Sequence, residues 1–403
     1  MWYDLNKRNF FLGTLFQVET KRGVQMSGKL CIINGSLILP GKIERGKTLF
    51  INDGKISSVG KAPVKGCEIL DAKGLFVSPG FIDIHVHGLF ADRAGDLDSS
   101  DLKEMCGRLA EHGVTGFLAT TVSLPPRMLL KTVRTVNNFI NDNPRTNLLG
   151  IHLEGPFVNP QVSGAQNRKY ICPFSLSGME DVFSEGKGVI KAMTFAPEVK
   201  NGMRLLKELT ARGIKPFIGH STAGYKEIEI AAAKGATHVT HLFNAMPAFH
   251  HREPGLIGAA LTIDNMTADI IADGIHIDPA TVKLAVEAKG AGKVILISDG
   301  IGDGGRAFML GGLKVRVKGK EARLENGKLA GSVIGLNDAV RNMMKFAGVS
   351  LTEAVGMASL NPARVLGIEK KKGSLEAGKD ADIVIFDKEL KIKHTIIKGK
   401  TWN

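Results

Sequence analysis

Cysteine is scarce in this 403-residue chain: Cys31, Cys67, Cys106 and Cys172 are the four, with no C-x-x-C pair among them. That excludes a zinc-thiolate ribbon and a dense disulfide framework, and it suits reduced thiols in a cytoplasmic protein. Aromatic residues make up only 6%, with two Trp, and none alternate with basic residues in a stripe. Long Lys/Arg blocks are missing as well, so no nucleic acid partner is expected. No apolar run reaches the ~18 residues that cross a bilayer, so no membrane span is expected either. The first 25 residues lack the apolar core of a signal peptide and read as a polar arm ahead of Met26, which could itself be the start.

Hydrophobic residues at 43% and charged residues at 23% describe a globular chain with material for a large core. The length accommodates one barrel of about 250 residues plus a smaller unit. Lys and Arg exceed Asp and Glu by 53 to 40, a formal charge of +13. Scattered as it is, that excess reads as a basic surface until a site asks for an anion, when it gains a steering role.

From Lys29 to Val77 short β-branched runs alternate with turns, as in LCIING, TLFINDG and KISSVG, and the chain closes on ADIVIFDKEL and KIKHTIIKGKT. These are patterns of short antiparallel strands. Neither end can bury a core alone, so 26–78 and 371–403 are expected to pair into one small β-sandwich, with 1–25 as the arm.

Between them, over 79–370, short apolar runs alternate with amphipathic stretches, the signature of βα units. Eight candidate strands are GFIDIHVHG, GVTGFLATT, NLLGIHLEG, VIKAMTFAPE, KPFIGHS, THVTHLFNAM, ADIIADGIH and KVILISDG. The fold class expected is therefore α/β, a (β/α)8 TIM barrel. A hairpin excursion is expected over Met309–Leu329, and two helices, around LNDAVRNMMKFAG and TEAVGMASLNPARVLG, lead back to the small unit.

Active sites of (β/α)8 enzymes form at the C-terminal ends of the strands. His85 and His87 end the first candidate strand, Glu154 the third, His220 the fifth, His241 the sixth, His276 the seventh and Asp299 the eighth. One His in a strand is more often a satisfied core residue than a ligand. Five of the chain's 11 His converging on one mouth beside two carboxylates would each need a buried partner, which favours a metal centre. His85 and His87 stand two apart on a strand and so share a face. Imidazole and carboxylate ligands suit zinc, iron(II), nickel or manganese without choosing among them.

At this point the chain resembles the N-acetylglucosamine-6-phosphate deacetylases of the amidohydrolase superfamily. PGFIDIHVHG at 79–88 and GSLEAGKDADIVIFD at 373–387 carry the wider likeness. HLEGPFVNP at 152–160, GHSTA at 219–223, THLFNAMPAFHHREPG at 240–255, DGIHIDP at 273–279 and SDG at 298–300 carry the narrower one.

The resemblance implies that Glu154, His220 and His241 hold the main divalent ion, and that His85 and His87 can take a second. It makes Asp299 the catalytic acid/base. Glu154 occupies the role many relatives give to a carboxylated lysine; Lys191 lies near the start of strand four and reads as structural. Asn244, the Ala245 backbone, His251, Arg252 and His276 are implied to bind the phosphate of a sugar phosphate substrate. His251 and Arg252 would serve the neighbouring subunit of a homodimer. The planar guanidinium matches phosphate oxygens, although a loop Arg taken alone is more often a solvated cation. Gln166 departs from the pattern: family members often have His there, hydrogen-bonded to the acyl oxygen, and a Gln amide can still donate.

The implied reaction releases acetate and glucosamine 6-phosphate. The alternatives weighed are an N-acetylgalactosamine 6-phosphate or other N-acyl sugar phosphate deacetylase, a cyclic-amide hydrolase of the dihydroorotase or hydantoinase kind, and a non-enzymatic binding protein on a degenerate barrel.

Overall fold

Residues 28–60, 65–88, 98–301 and 307–402, with the backbone of 93–94, are described by a computed structural model. The polar arm expected over 1–25 lies outside the described residues.

Short runs rich in Val, Ile, Leu and Ala are buried on both faces, as parallel strands covered by helices must be. Val114–Thr121 is buried at every position. Eight such strands form one parallel sheet: Phe81–Val86, Val114–Thr121, Leu148–Glu154, Ile190–Phe195, Lys215–Ile218, His238–Val239, Thr267–Ile271 and Val294–Ile297. A bridge between Val86 and Gly300 joins the first strand to the segment after the last. The architecture is the expected α/β barrel, and the numbering one to eight follows this order.

Strands six and seven are shorter than their sequence runs. His241, Phe243 and Ala245 take positive φ, which ends the ladder after Val239 and turns the chain across the barrel mouth. Ser99–Glu111, Pro126–Asp142, Leu176–Glu185, Gly202–Ala211, Tyr225–Ala233, Gly255–Thr262 and Pro279–Lys289 are the helices between the strands. The last expected helix is two, Leu351–Ala358 and Leu360–Leu366, divided at Ser359 just before Asn361-Pro362. Proline lacks the N–H that would continue a helix.

The excursion after strand eight carries three strands where a hairpin was expected. Ala307–Leu310, Leu313–Lys318 and Glu321–Leu324 form an antiparallel ribbon, joined in parallel by Arg93–Ala94. It leans over the end of strand two: a Cβ on Gly311 would meet Val122 Cγ2 at 2.7 Å.

The chain ends share one sheet, ordered Lys400–Thr401, Ile392–Ile397, Ile383–Phe386, Phe76–Pro79, Lys29–Leu39, Lys42–Asn52, Lys55–Gly60, with Glu68–Asp71 also paired to Lys29–Leu39. Two pairings differ from the antiparallel expectation, because Glu68–Asp71 and Phe76–Pro79 both run parallel to Lys29–Leu39. That geometry overturns a second expectation. Cys67, just before Glu68–Asp71, is brought to a Cα–Cα distance of 6.0 Å from Cys31 and forms a disulfide with it. Only Cys106 and Cys172 are free thiols. The pairing partner lies 36 residues away, so spacing alone could not reveal it.

Candidate metal centre

The strand ends place two sets of donors face to face. Glu154, His220 and His241 form one group and His85, His87 and Asp299 the other, each with ligand atoms within 4.8 Å of one another and all buried. In the first, Glu154 Oε1 is 3.0 Å from His220 Nε2 and 3.1 Å from His241 Nε2, and the two imidazole nitrogens are 3.1 Å apart. In the second, Asp299 Oδ1 is 3.5 Å from His85 Nε2 and 3.2 Å from His87 Nε2. Glu154 belongs to both, since its Oε2 lies 3.6 Å from His85 and 3.4 Å from His87.

The backbone is bent to achieve this. His220 (φ 48), His241 (φ 34) and Asp299 (φ 46) all lie in the left-handed region, which costs a non-glycine residue about 1–3 kcal/mol. Neighbouring bonds hold them there. The Asn159 N–H donates to the His220 carbonyl at 2.9 Å, and the Asp299 N–H to the His85 carbonyl at 2.9 Å. The His241 N–H donates to Asp269 Oδ1.

Several observations fit a divalent ion. His87 Nδ1 donates to the Thr120 carbonyl at 3.1 Å and His220 Nδ1 to the Val162 carbonyl at 3.0 Å. Both rings therefore turn Nε2 toward the other donors, as metal-bound histidines do. Neither ring nitrogen of buried His85 has a hydrogen-bond partner. The electrostatics also ask for positive charge. Burial works against a charged His87, yet Asp299 and Glu154 outweigh it and push its pKa up to about 10. His241 is pushed up to about 9, mainly by Glu154 against the same burial. Burial alone would raise Glu154, but the nearby His85 imidazole and bonds from His220 and His241 hold it well below the carboxylate range. A divalent cation supplies the charge these protons otherwise provide.

The two donor groups open on a cavity of about 350 Å³ lined also by Gln166, Asn244, Ala245 and His276. His276 Nδ1 donates to Asp273 Oδ2 at 2.6 Å, fixing the tautomer. His251 and Arg252, 3.1 Å apart, are exposed and do not line this cavity. Lys191 Nζ donates to the Gly188 carbonyl, at the opposite end of strand four from the mouth.

Sequence reasoning missed the layer beneath. Asp83 Oδ2 accepts from Ser298 Oγ at 2.5 Å while Oδ1 faces the His85 N–H at 3.3 Å. Asp269 Oδ2 pairs with His238 Nε2 at 3.0 Å. A carboxylate inside a strand buried at every position, as in GFIDIHVHG, is the signal that could have found Asp83, because such a group needs a buried partner. Lys328 and Leu310, from the ribbon after strand eight, also line the cavity; nothing local in the sequence marks them.

A family model of the amidohydrolase family matches residues 76–402. The chain belongs to the amidohydrolase family. Within it, the chain is similar to the N-acetylglucosamine-6-phosphate deacetylase of Bacillus subtilis (strain 168), with 38% identity over 93% of this chain and 97% of that one. It is also similar to the N-acetylgalactosamine-6-phosphate deacetylase of Escherichia coli O157:H7, 33% identical over 87% of this chain and 93% of that one. The solved N-acetylglucosamine-6-phosphate deacetylase of Thermotoga maritima superposes with a TM-score of 0.82 at 34% identity, covering 92% of this chain and 99% of that one. Amidohydrolase membership and the two donor groups agree on a divalent metal enzyme.

Proposed function

We propose that this amidohydrolase removes the acetyl group of N-acetylglucosamine 6-phosphate, releasing acetate and glucosamine 6-phosphate. The observation that carries the reading is the pair of donor groups joined through Glu154, with Asp299 at their edge, in a chain similar to curated deacetylases over nearly its whole length. Glu154, His220 and His241 would hold the main ion, and His85 and His87 a second. Zinc, iron(II), nickel and manganese all suit these ligands. When bound, such an ion polarises the acyl carbonyl and lowers the pKa of water.

The chain's own residues do the rest. The Asp299 carboxyl is raised by burial but lowered further by His85 and His87, so it stays ionised and ready to accept a proton. It takes one from the attacking water and returns it to the leaving nitrogen, acting as general base and then general acid. One N–H of Gln166 is committed to Glu154; the other is available to the acyl oxygen as negative charge develops there.

Asn244, the Ala245 backbone and His276 receive the sugar phosphate from within the chain, and Lys328 adds a cation to the cavity wall. The exposure of His251 and Arg252 supports their service to a second copy in a homodimer. The ends, 26–78 with 371–403, form the small β-sandwich beside the 79–370 barrel. The separate buried cluster of Leu30, Ile32, Leu37, Leu49, Ile383 and Ile396 supports that division. A charged sugar phosphate does not cross lipid unaided, so the enzyme works in the cytoplasm.

The test is acetate release from N-acetylglucosamine 6-phosphate, its galacto epimer and unphosphorylated N-acetylglucosamine, after reconstitution with each metal. Faster release from the gluco phosphate than from both others supports the reading. A preference for the galacto epimer replaces the substrate while keeping the chemistry, and equal rates with and without phosphate overturn the phosphate site.

A further inference from the structure

Gln166 touches the metal centre at a point the reaction does not require. Its Nε2 donates to Glu154 Oε2 at 2.7 Å, and its Oε1 accepts from the Ser123 N–H at 2.5 Å. A backbone N–H can only donate and an ionised carboxylate can only accept, so the amide has one permitted orientation. A flipped Gln would set oxygen against carboxylate and NH2 against N–H. All three residues are buried, where a mismatched polar pair is costly.

The surroundings leave little play. Ser123 follows strand two, Glu154 ends strand three, and Gln166 lies in the loop after it. Gly155, at φ 82, presses on Ser123 so closely that a Cβ there would meet Ser123 Oγ at 2.3 Å. On the other side, Asn167 Nδ2 donates to the Gly311 carbonyl at 2.9 Å, tying the Gln166 loop to the ribbon.

The terminal torsion of a Glu is broad and roughly two-fold, so its carboxylate does not choose an orientation by itself. Here the two oxygens have different neighbours: Oε1 faces His220 and His241, Oε2 faces His85 and His87. We infer that Gln166 is a positioning residue for the metal centre, locking the Glu154 carboxylate so that Oε1 is held toward His220 and His241. This role is separate from any contact with the acyl oxygen, and it rests on the proposed metal reading.

The experiment measures zinc(II) affinity of the demetallated full chain by competition with a chromophoric chelator, without substrate. Gln166→Met keeps the volume and deletes both hydrogen bonds; Gln166→His restores one donor and one acceptor. The expected result is an affinity about 10–100-fold weaker for Gln166→Met, the usual effect of losing a partner behind a ligand, with recovery in Gln166→His. Unchanged affinity in Gln166→Met with a raised KM assigns Gln166 to substrate alone and overturns the inference. Equal weakening in both variants, with circular dichroism matching the parent, overturns the donor–acceptor argument. A parent chain that binds no zinc would instead sink the metal reading itself.

Discussion

The barrel mouth and the sheet of the chain ends are both assembled from residues far apart in sequence, but they hold charge in opposite ways. In the sheet, buried Lys372 pairs with Asp380 at 3.0 Å and with Asp382. The sheet has its own apolar cluster around Leu30 and Ile383, and Cys31–Cys67 clamps Lys29–Leu39 to the entry of Glu68–Asp71. Each of these three charges has its partner. At the mouth, three of the donor residues sit at positive φ, carboxylates lie 3.0–3.6 Å from imidazoles, and the His85 ring has no hydrogen-bond partner. The sheet is built for stability, whereas the mouth carries strain and crowding that a cation would relieve. Perturbing the mouth should change chemistry, and perturbing the sheet should change stability.

The largest effect is expected from Glu154→Ala, which removes the carboxylate common to both donor groups. Metal content by mass spectrometry and acetate release should both fall to background. Retention of one tightly held ion would break the picture of a shared ligand.

Asp299→Asn should come next, lowering kcat by about 10²–10⁴, the range for losing a general acid/base, while metal stays at Glu154, His220 and His241. Near-normal turnover in this variant would remove Asp299 from proton transfer.

A smaller, graded effect is expected from pH. Without metal, His87 and His241 keep their protons until about pH 10 and 9, and a bound ion must displace them. Metal affinity should therefore rise with pH by up to about tenfold per unit for each proton released. Their contribution to metal-free stability has the opposite sign. Because both values are raised, it is complete below the ordinary His pKa and lost as pH climbs through 9 to 10. An affinity flat between pH 6 and 9 would contradict this.

The smallest effect on catalysis should come from the sheet. Cys31→Ser opens a link spanning 36 residues, worth about 3–4 kcal/mol in the chain-entropy account. It should lower Tm with kcat unchanged. A loss of kcat without a loss of Tm would reverse the contrast between the two regions.

Much of the site was legible because chemistry and period coincide in this sequence. His85 and His87 share a face by the two-residue repeat of a strand. Glu154, His220, His241 and Asp299 stand at or just beyond apolar runs, where a barrel keeps its polar groups. The supporting layer was hidden: Asp83 and Asp269 stand inside apolar runs, and their partners Ser298 and His238 come from other strands. The ribbon's third strand was hidden too, since Ala307–Leu310 is only four residues long and is defined by its pairing.

Local pattern by itself determined the barrel, the order of its strands and which titratable residues gather at its mouth, because alternation and side-chain chemistry are properties of neighbouring residues. Only the tertiary structure decided that Cys31 meets Cys67, that Glu154 serves two donor groups, and that Gln166 is oriented by Ser123. Each of these depends on which strands lie side by side. Parallel pairing and loop closure join residues tens of positions apart, and no local period records that choice.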